Sequence, residues 1–356
     1  MINSLQKEYY SKSVEELTDL GIVGRLRLYD WKLEFVGLII IALIVFFFNA
    51  GAYRNKAIVE SWLKAIQPVL DENFAQVGVK KDQLYVKDSA QLYTSYATGR
   101  INIRGLTSRF ELINRPNYFY YLTELFMSYF FESVPVPQDT AEIEVKLFDT
   151  QKLGKYIFAI VNKEGMNNAR QENYYLSLTK TTESSKLPLQ FVFMSESADL
   201  NEGLATEELR EALKKAGPVL KYLAVTDLPS THPNSEEEFV SAPKIVAKLN
   251  LKSDSQSLVA IRELVAEIIA LADRVSKFQL KSEQQKKINN VRTSELNKIK
   301  KALQEIAAEE LREKKLEAER EARRASQLSP EEQDKLDQKM REKRERRARN
   351  RQKQRM

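Results

Sequence analysis

No cysteine occurs anywhere in the 356 residues. That excludes a disulfide framework, a thiolate metal site and a cysteine nucleophile, and it makes a reducing compartment the natural home of most of the chain. Histidine is nearly absent too. The single one, His232, lies in the run from Pro229 to Glu236, which is rich in Pro and Ser and reads as an exposed loop rather than a pocket wall. The eleven glycines are scattered singly, so the phosphate-cradling loop, the dinucleotide fingerprint and the nucleophile elbow are all missing. Carboxylates are abundant, but none comes with a histidine, a cysteine or calcium-loop spacing. These residues support no catalytic site, no metal site and no cofactor, and the chain is read as a non-enzyme.

What is present is a long apolar run. From Phe35 to Ala52 there are eighteen residues with no charge and one amide, Asn49. As a helix this stretch extends roughly 27 Å, close to the ~30 Å hydrocarbon layer of a bilayer. The expected membrane-spanning residues include Phe35, Leu38, Ile41, Leu43, Val45, Phe47 and Phe48, with Trp31 and Tyr53 at the two interfaces. Thirty-four largely polar residues come first, unlike a cleaved signal peptide, so the run is read as a retained anchor. Arg25, Arg27 and Lys32 before it balance Arg54, Lys56 and Lys64 after it, and local charge does not orient it. Length, absent cysteine and absent glycosylation acceptors place the C-terminal part in the cytosol. Residues from Ser13 to Leu28 are read either as a short amphipathic helix on the membrane or as a frayed tail.

Beyond the anchor, Ile58, Val59, Trp62, Leu63, Ile66, Val69, Leu70 and Phe74 recur at threes and fours and predict a helix packed on a core. Strands are expected at Ala141 to Phe148, Tyr156 to Val161, Leu189 to Met194 and Ile245 to Leu251. Gly99 to Ile113 is expected to hold two short strands, with a bulge or hairpin turn at Gly105. Helices are expected at Tyr118 to Phe131, Glu164 to Leu178 and Thr206 to Ala216. The fold class is α+β, with an antiparallel sheet. The Tyr- and Phe-rich run from Asn117 to Phe131 reads by default as helical core, although its excess of aromatics makes it the preferred partner face.

From Ser257 an apolar helical stripe continues to Phe278, then narrows to the seam Ile288, Val291, Leu296, Ile299, Leu303 and Ile306, and gives way to a charged stretch. Continuous to Ser329, such a helix would extend ~100 Å. Ser329 followed by Pro330, Glu331 and Glu332 is a helix restart. The expected divisions are 1–34 (tail), 35–53 (span), 54–256 (α+β domain), 257–329 (long helix) and 330–356 (basic tail). Of the net charge of +6, Gln338 to Met356 carries ten Lys or Arg against two Glu. An Arg-rich arm suits bidentate contacts to phosphate, so RNA is the preferred partner over anionic lipid.

The span followed by Val59 to Gly78, the run Lys155 to Met166, and Ala270 to Arg292 leading into the basic end together resemble the calumin family. This is the coiled-coil-domain-containing subunit of the ER PAT complex, which chaperones multipass membrane proteins at the ribosome-bound translocon. The resemblance implies a single-pass ER membrane protein with a lumenal N terminus. Its implied partners are the ribosome, a small multipass chaperone subunit, translocon components, nascent membrane-protein clients and the lipid bilayer. It puts ribosomal RNA contacts on Lys339, Arg341, Lys343, Arg344, Arg346, Arg347, Arg349, Arg351, Lys353 and Arg355. Larger relatives carry an acidic lumenal segment to which calcium binding is attributed; the residues before this span contain no acidic run, so calcium binding is not carried over. The rival reading is a membrane-anchored coiled-coil tether.

Overall fold

The computed structural model describes residues 11–29, 31–80, 83–131, 134–148, 154–235, 237–239 and 241–326. Among the described residues two short helices come first: α1 (Val14–Asp19), started by a reciprocal capping box between Ser13 and Glu16, and α2 (Gly21–Leu28). Helix α3 (Lys32–Asn73) then runs for 42 residues, about 63 Å, and joins the apolar run to the amphipathic stretch without a break. Strands β1 (Gln76–Val77), β2 (Tyr85–Lys87), β3 (Leu92–Thr98) and β4 (Ile103–Glu111) follow. After helix α4 (Tyr118–Phe130) come β5 (Thr140–Leu147) and β6 (Phe158–Asn162). A 3-10 turn leads to α5 (Met166–Glu172) and α6 (Tyr174–Ser177), then β7 (Lys180–Thr182) and β8 (Phe191–Ser195). Helices α7 (Ala198–Leu204) and α8 (Glu207–Ala216) precede β9 (Leu220–Thr226) and β10 (Lys244–Asn250), and the chain continues into α9 (Ser255–Lys277) and α10 (Ser282–Ser326).

Among the described residues all ten strands join one sheet in the order β1-β3-β4-β5-β10-β9-β6-β8-β7, with β2 also paired to β3. Every pairing is antiparallel. In β3, β4 and β5 buried and exposed residues largely alternate, the signature of a sheet covered on one face. Strands β6, β8 and β9 are buried almost throughout. The C-terminal half of α3 inserts Val59, Trp62, Leu63, Ile66 and Leu70 into the core, with Trp62 edge-on to Phe110 of β4 at 5.3 Å between ring centres. Helix α9 packs along α3 and α8, capped at its start by Asp254, whose carboxylate accepts from the Ser257 amide at 3.0 Å. Arg100 ties this layer together, donating to Asn73 at the end of α3 and to Asp273 of α9.

Three expectations change in the structure. Of the two readings of Gly105 the bulge holds and the hairpin turn does not: β4 is one strand with a register shift there, and the hairpin turn lies at Gly99 to Asn102, both left-handed in φ. Gly105 serves a close approach, since a Cβ on it would lie 2.7 Å from the Tyr96 hydroxyl. The helix expected over Glu164 to Leu178 breaks at Asn173, which is extended and buried and turns its own amide on the Ala169 carbonyl at 3.0 Å. Finally, the stripe from Ser257 and the seam from Ile288 sit on two helices, because the chain leaves the helix at Phe278.

The chain divides into two units, Met1–Thr231 with Ser241–Gln285, and His232–Val240 with Lys286–Met356. In the second, α10 buries Ile288 and Ile299 while Val291, Leu303, Ile306, Leu311 and Leu316 are exposed.

Candidate functional site at the membrane face

The buried stripe of α3 begins at Gly51, one residue before the apolar run ends. From there the face at every fourth residue reads Phe47, Gly51, Asn55 and Val59, and three of its turns meet one segment, Ile113 to Tyr118. Asn55, fully buried, donates to the carbonyls of Ile113 at 3.2 Å and Ala90 at 3.0 Å. One turn earlier, Gly51 lets the backbone of Arg115 and Pro116 press against α3; a Cβ there would stand 2.5 Å from the Arg115 carbonyl carbon. One turn earlier again, the ring of Phe47 stacks on Tyr118 with centres 5.3 Å apart and planes 14° from parallel. The segment therefore runs antiparallel to α3, back along the apolar run, and delivers the start of α4 beside it.

A salt bridge closes this excursion at its neck. Arg115 makes two parallel bonds to Asp139, Nη1 to Oδ1 at 2.8 Å and Nη2 to Oδ2 at 2.6 Å, and Nη1 also reaches the Asn55 side-chain oxygen at 2.8 Å. Asp139 further accepts from the Ile113 amide at 2.9 Å, and its own carbonyl accepts from Leu251. The chain thus leaves the domain at Arg115 and re-enters it beside that residue at Asp139.

Helix α4 has no buried residue. The default expectation of helical core for Tyr118 to Phe131 is therefore corrected: this run is a surface, and hydrophobic sequence alone does not separate the two cases. Tyr121, Glu124 and Ser128 form its half-covered side, while Phe119, Leu122, Phe126, Tyr129 and Phe130 are exposed. Asn117 caps it by accepting from the Tyr120 amide at 3.2 Å.

The structure places Phe35, Leu38, Ile41, Leu43, Val45, Phe47 and Phe48 on α3, all of them exposed. Among the described residues α3 is the helix long and apolar enough to cross a membrane, and none of its most apolar 18 residues is buried, which sets it apart from the core helix of a soluble protein. The basic residues Lys339, Arg341, Lys343, Arg344, Arg346, Arg347, Arg349, Arg351, Lys353 and Arg355 lie outside the described residues. His232 is exposed, its Nδ1 3.0 Å from the Pro233 carbonyl oxygen. Among the described residues no cluster of three His, Asp or Glu side chains could hold a metal ion.

The chain is thus an exposed apolar helix joined without a break to a mixed domain. The family model described as PAT complex subunit CCDC47 matches residues 30–347. The chain belongs to the CCDC47 family. A UPF0674 endoplasmic reticulum membrane protein of Saccharomyces cerevisiae is 30% identical, over 86% of this chain and 85% of its own length. A second UPF0674 endoplasmic reticulum membrane protein, from Schizosaccharomyces pombe, is 29% identical over 78% of this chain and 77% of its own. The CCDC47 match takes in α3, the sheet and α10, so the neck and α4 fall inside it. Nothing in a CCDC47 assignment points to catalysis. Sequence reading missed the neck residues Gly51, Asn55, Arg115 and Asp139. Their one local signal was Pro116 preceding an Asn-capped helix, and the ion pair joins residues 24 apart.

Proposed function

We propose that this chain is the membrane-anchored subunit of a chaperone complex for multipass membrane proteins in the endoplasmic reticulum, with its N terminus lumenal and its sheet domain cytosolic. The observation that carries this reading is α3. Its uncovered apolar half has the length of a bilayer crossing, and its other half is built into the core, so anchor and domain move as one body. Membership of the family and the endoplasmic reticulum relatives supply the compartment and the kind of complex.

In this reading the arm from Lys339 to Arg355 contacts ribosomal RNA, which holds the complex where nascent clients emerge beside the translocon and a small multipass partner subunit. Arginine dominates the arm, and its planar fork matches phosphate oxygens. Deleting residues 338–356 should release the full-length protein from ribosomes in co-sedimentation and flatten the salt dependence of whatever association is left. Unchanged sedimentation would reject the arm as the contact.

The exposed Val291, Leu303 and Ile306 of α10 favour a second reading, a tether that pairs through this seam. Light scattering of the full chain in detergent separates the two: a tether gives twice the monomer mass, lost on Leu303→Glu with Ile306→Glu.

A further inference from the structure

We propose that α4 is a second membrane-embedded element: a helix lying in the plane of the leaflet from which α3 emerges, with its open face among the acyl chains. The inference requires α3 to cross the bilayer and is independent of ribosome binding by the arm.

Depth comes first. Phe47 lies five residues before Ala52, the end of the apolar run, which puts it about 8 Å below that boundary along a helix. Tyr118, the first residue of α4, stacks on Phe47. The position is held by Asn55, Gly51 and the Arg115–Asp139 pair, so wherever α3 places Phe47, the start of α4 goes with it. An in-plane amphipathic helix buries its apolar face by about 5–10 Å, the same depth.

Length and chemistry agree. Thirteen residues make a helix of about 20 Å, too short to cross. Phe119, Leu122, Phe126 and Phe130 on the exposed side carry no polar atom in their side chains, and Tyr129 brings an amphipathic ring of the kind found at the water boundary. The one charge of the helix, Glu124, is on the half-covered side with Tyr121 and Ser128, where it need not enter hydrocarbon. A continuous apolar surface from the span into α4 in cytosol would be an aggregation liability, and the nearest apolar medium to cover it is the membrane already holding α3.

The absence of cysteine makes the test direct. Full-length protein is reconstituted into phosphatidylcholine–phosphatidylethanolamine vesicles as single-cysteine variants carrying an environment-sensitive fluorophore at Phe119→Cys, Phe126→Cys or Ser128→Cys, with Ile41→Cys and Ser185→Cys as references. Nitroxide placed near the headgroup end of the acyl chain should quench positions 119 and 126 at least about two-fold more than aqueous iodide does, with the order reversed at Ser128 and Ser185. Equal iodide access at positions 119, 126 and 128, or protection from both quenchers, overturns the proposal while Ile41 stays lipid-quenched; loss of lipid quenching at Ile41 instead refutes the span. An unlabelled measurement guards against the fluorophore itself. A phospholipid with a photoreactive acyl chain should crosslink to residues 118–131 of the unmodified chain as well as to 35–52, and crosslinks confined to 35–52 would likewise overturn the proposal.

Discussion

Arg115 and Asp139 are mostly shielded from water, with side-chain exposures of 18% and 11%, and each has further hydrogen bonds. Removing one partner of such a pair leaves the other charge buried and unmatched, which costs more than the pair itself contributes. Arg115→Ala should therefore lower unfolding stability by about 3 kcal/mol in the detergent-solubilised full chain. Arg115→Lys should recover only part, because an ammonium cannot reach both carboxylate oxygens and Asn55 together. A denaturant midpoint unchanged in Arg115→Ala would remove the neck as a structural element. Tyr156 gives a pH-dependent counterpart. Burial alone pushes its hydroxyl well above the ordinary tyrosine value, and that hydroxyl has no hydrogen-bond partner among the described residues. The folded chain keeps it neutral while the unfolded chain ionises near pH 10, so its contribution is intact below about pH 10 and is lost as pH rises toward the folded value. Tyr156→Phe should be within about 1 kcal/mol of the parent at pH 7 and should move alkaline unfolding to higher pH. The transition will persist, since burial also raises Tyr175 and Tyr222, and burial with the Glu60 hydrogen bond pushes Tyr85 up to about 12. An identical alkaline midpoint in the variant would show that Tyr156 does not contribute.

At the level of elements, α3 is held to its neighbours on one face by residues of very different size, and Gly51 is the one that sets the distance. Gly51→Leu would drive a side chain into the Arg115–Pro116 backbone, a clash that rigid backbone cannot relieve by rotamer change. The expected cost is about 1–3 kcal/mol, together with separation of α4 from α3. A short bis-maleimide should join Phe47→Cys to Tyr118→Cys efficiently with Gly51 in place and several-fold less with Leu; equal yields would show that Gly51 does not set the approach. Several of these elements were readable in advance. The strands of Thr140–Leu147, Phe158–Asn162, Phe191–Ser195 and Lys244–Asn250 lie within about two residues of their expected positions, because dense β-branched and aromatic runs carry the signal locally. Leu92–Thr98 was missed: its buried positions are Tyr93, Ser95 and Ala97, a pattern too polar to register as alternation. The exposure of α4 was hidden for a different reason. A run exposed at the surface and a run that faces a core can have the same composition, and it is the register of Ile113 to Tyr118 along α3 that holds this one outside the core.

For the whole molecule, charge and grease sit at opposite ends of the chain, Phe35–Ala52 near one terminus and the ten cations of residues 338–356 at the other. If, as proposed, the apolar run anchors the chain in a bilayer and the arm binds RNA, tethering to the membrane raises even a modest affinity by effective concentration. Contact with phosphates through many cations would be graded, not all-or-none. Each cation that neutralises a phosphate releases bound counterions and adds about 0.7–0.9 to the slope of log affinity against log salt. Replacing Lys339, Arg341, Lys343, Arg344 and Arg346 by Gln halves the ten cations and should cut that slope by about half, as should the complementary set from Arg347 to Arg355, if the arm is a diffuse polyanion contact. Loss concentrated in one half would instead mark a structured site with particular phosphates. A slope unchanged by either set, measured with ribosomes and the full-length protein in vesicles, would reject the arm as a ribosomal contact, and the tethering argument with it.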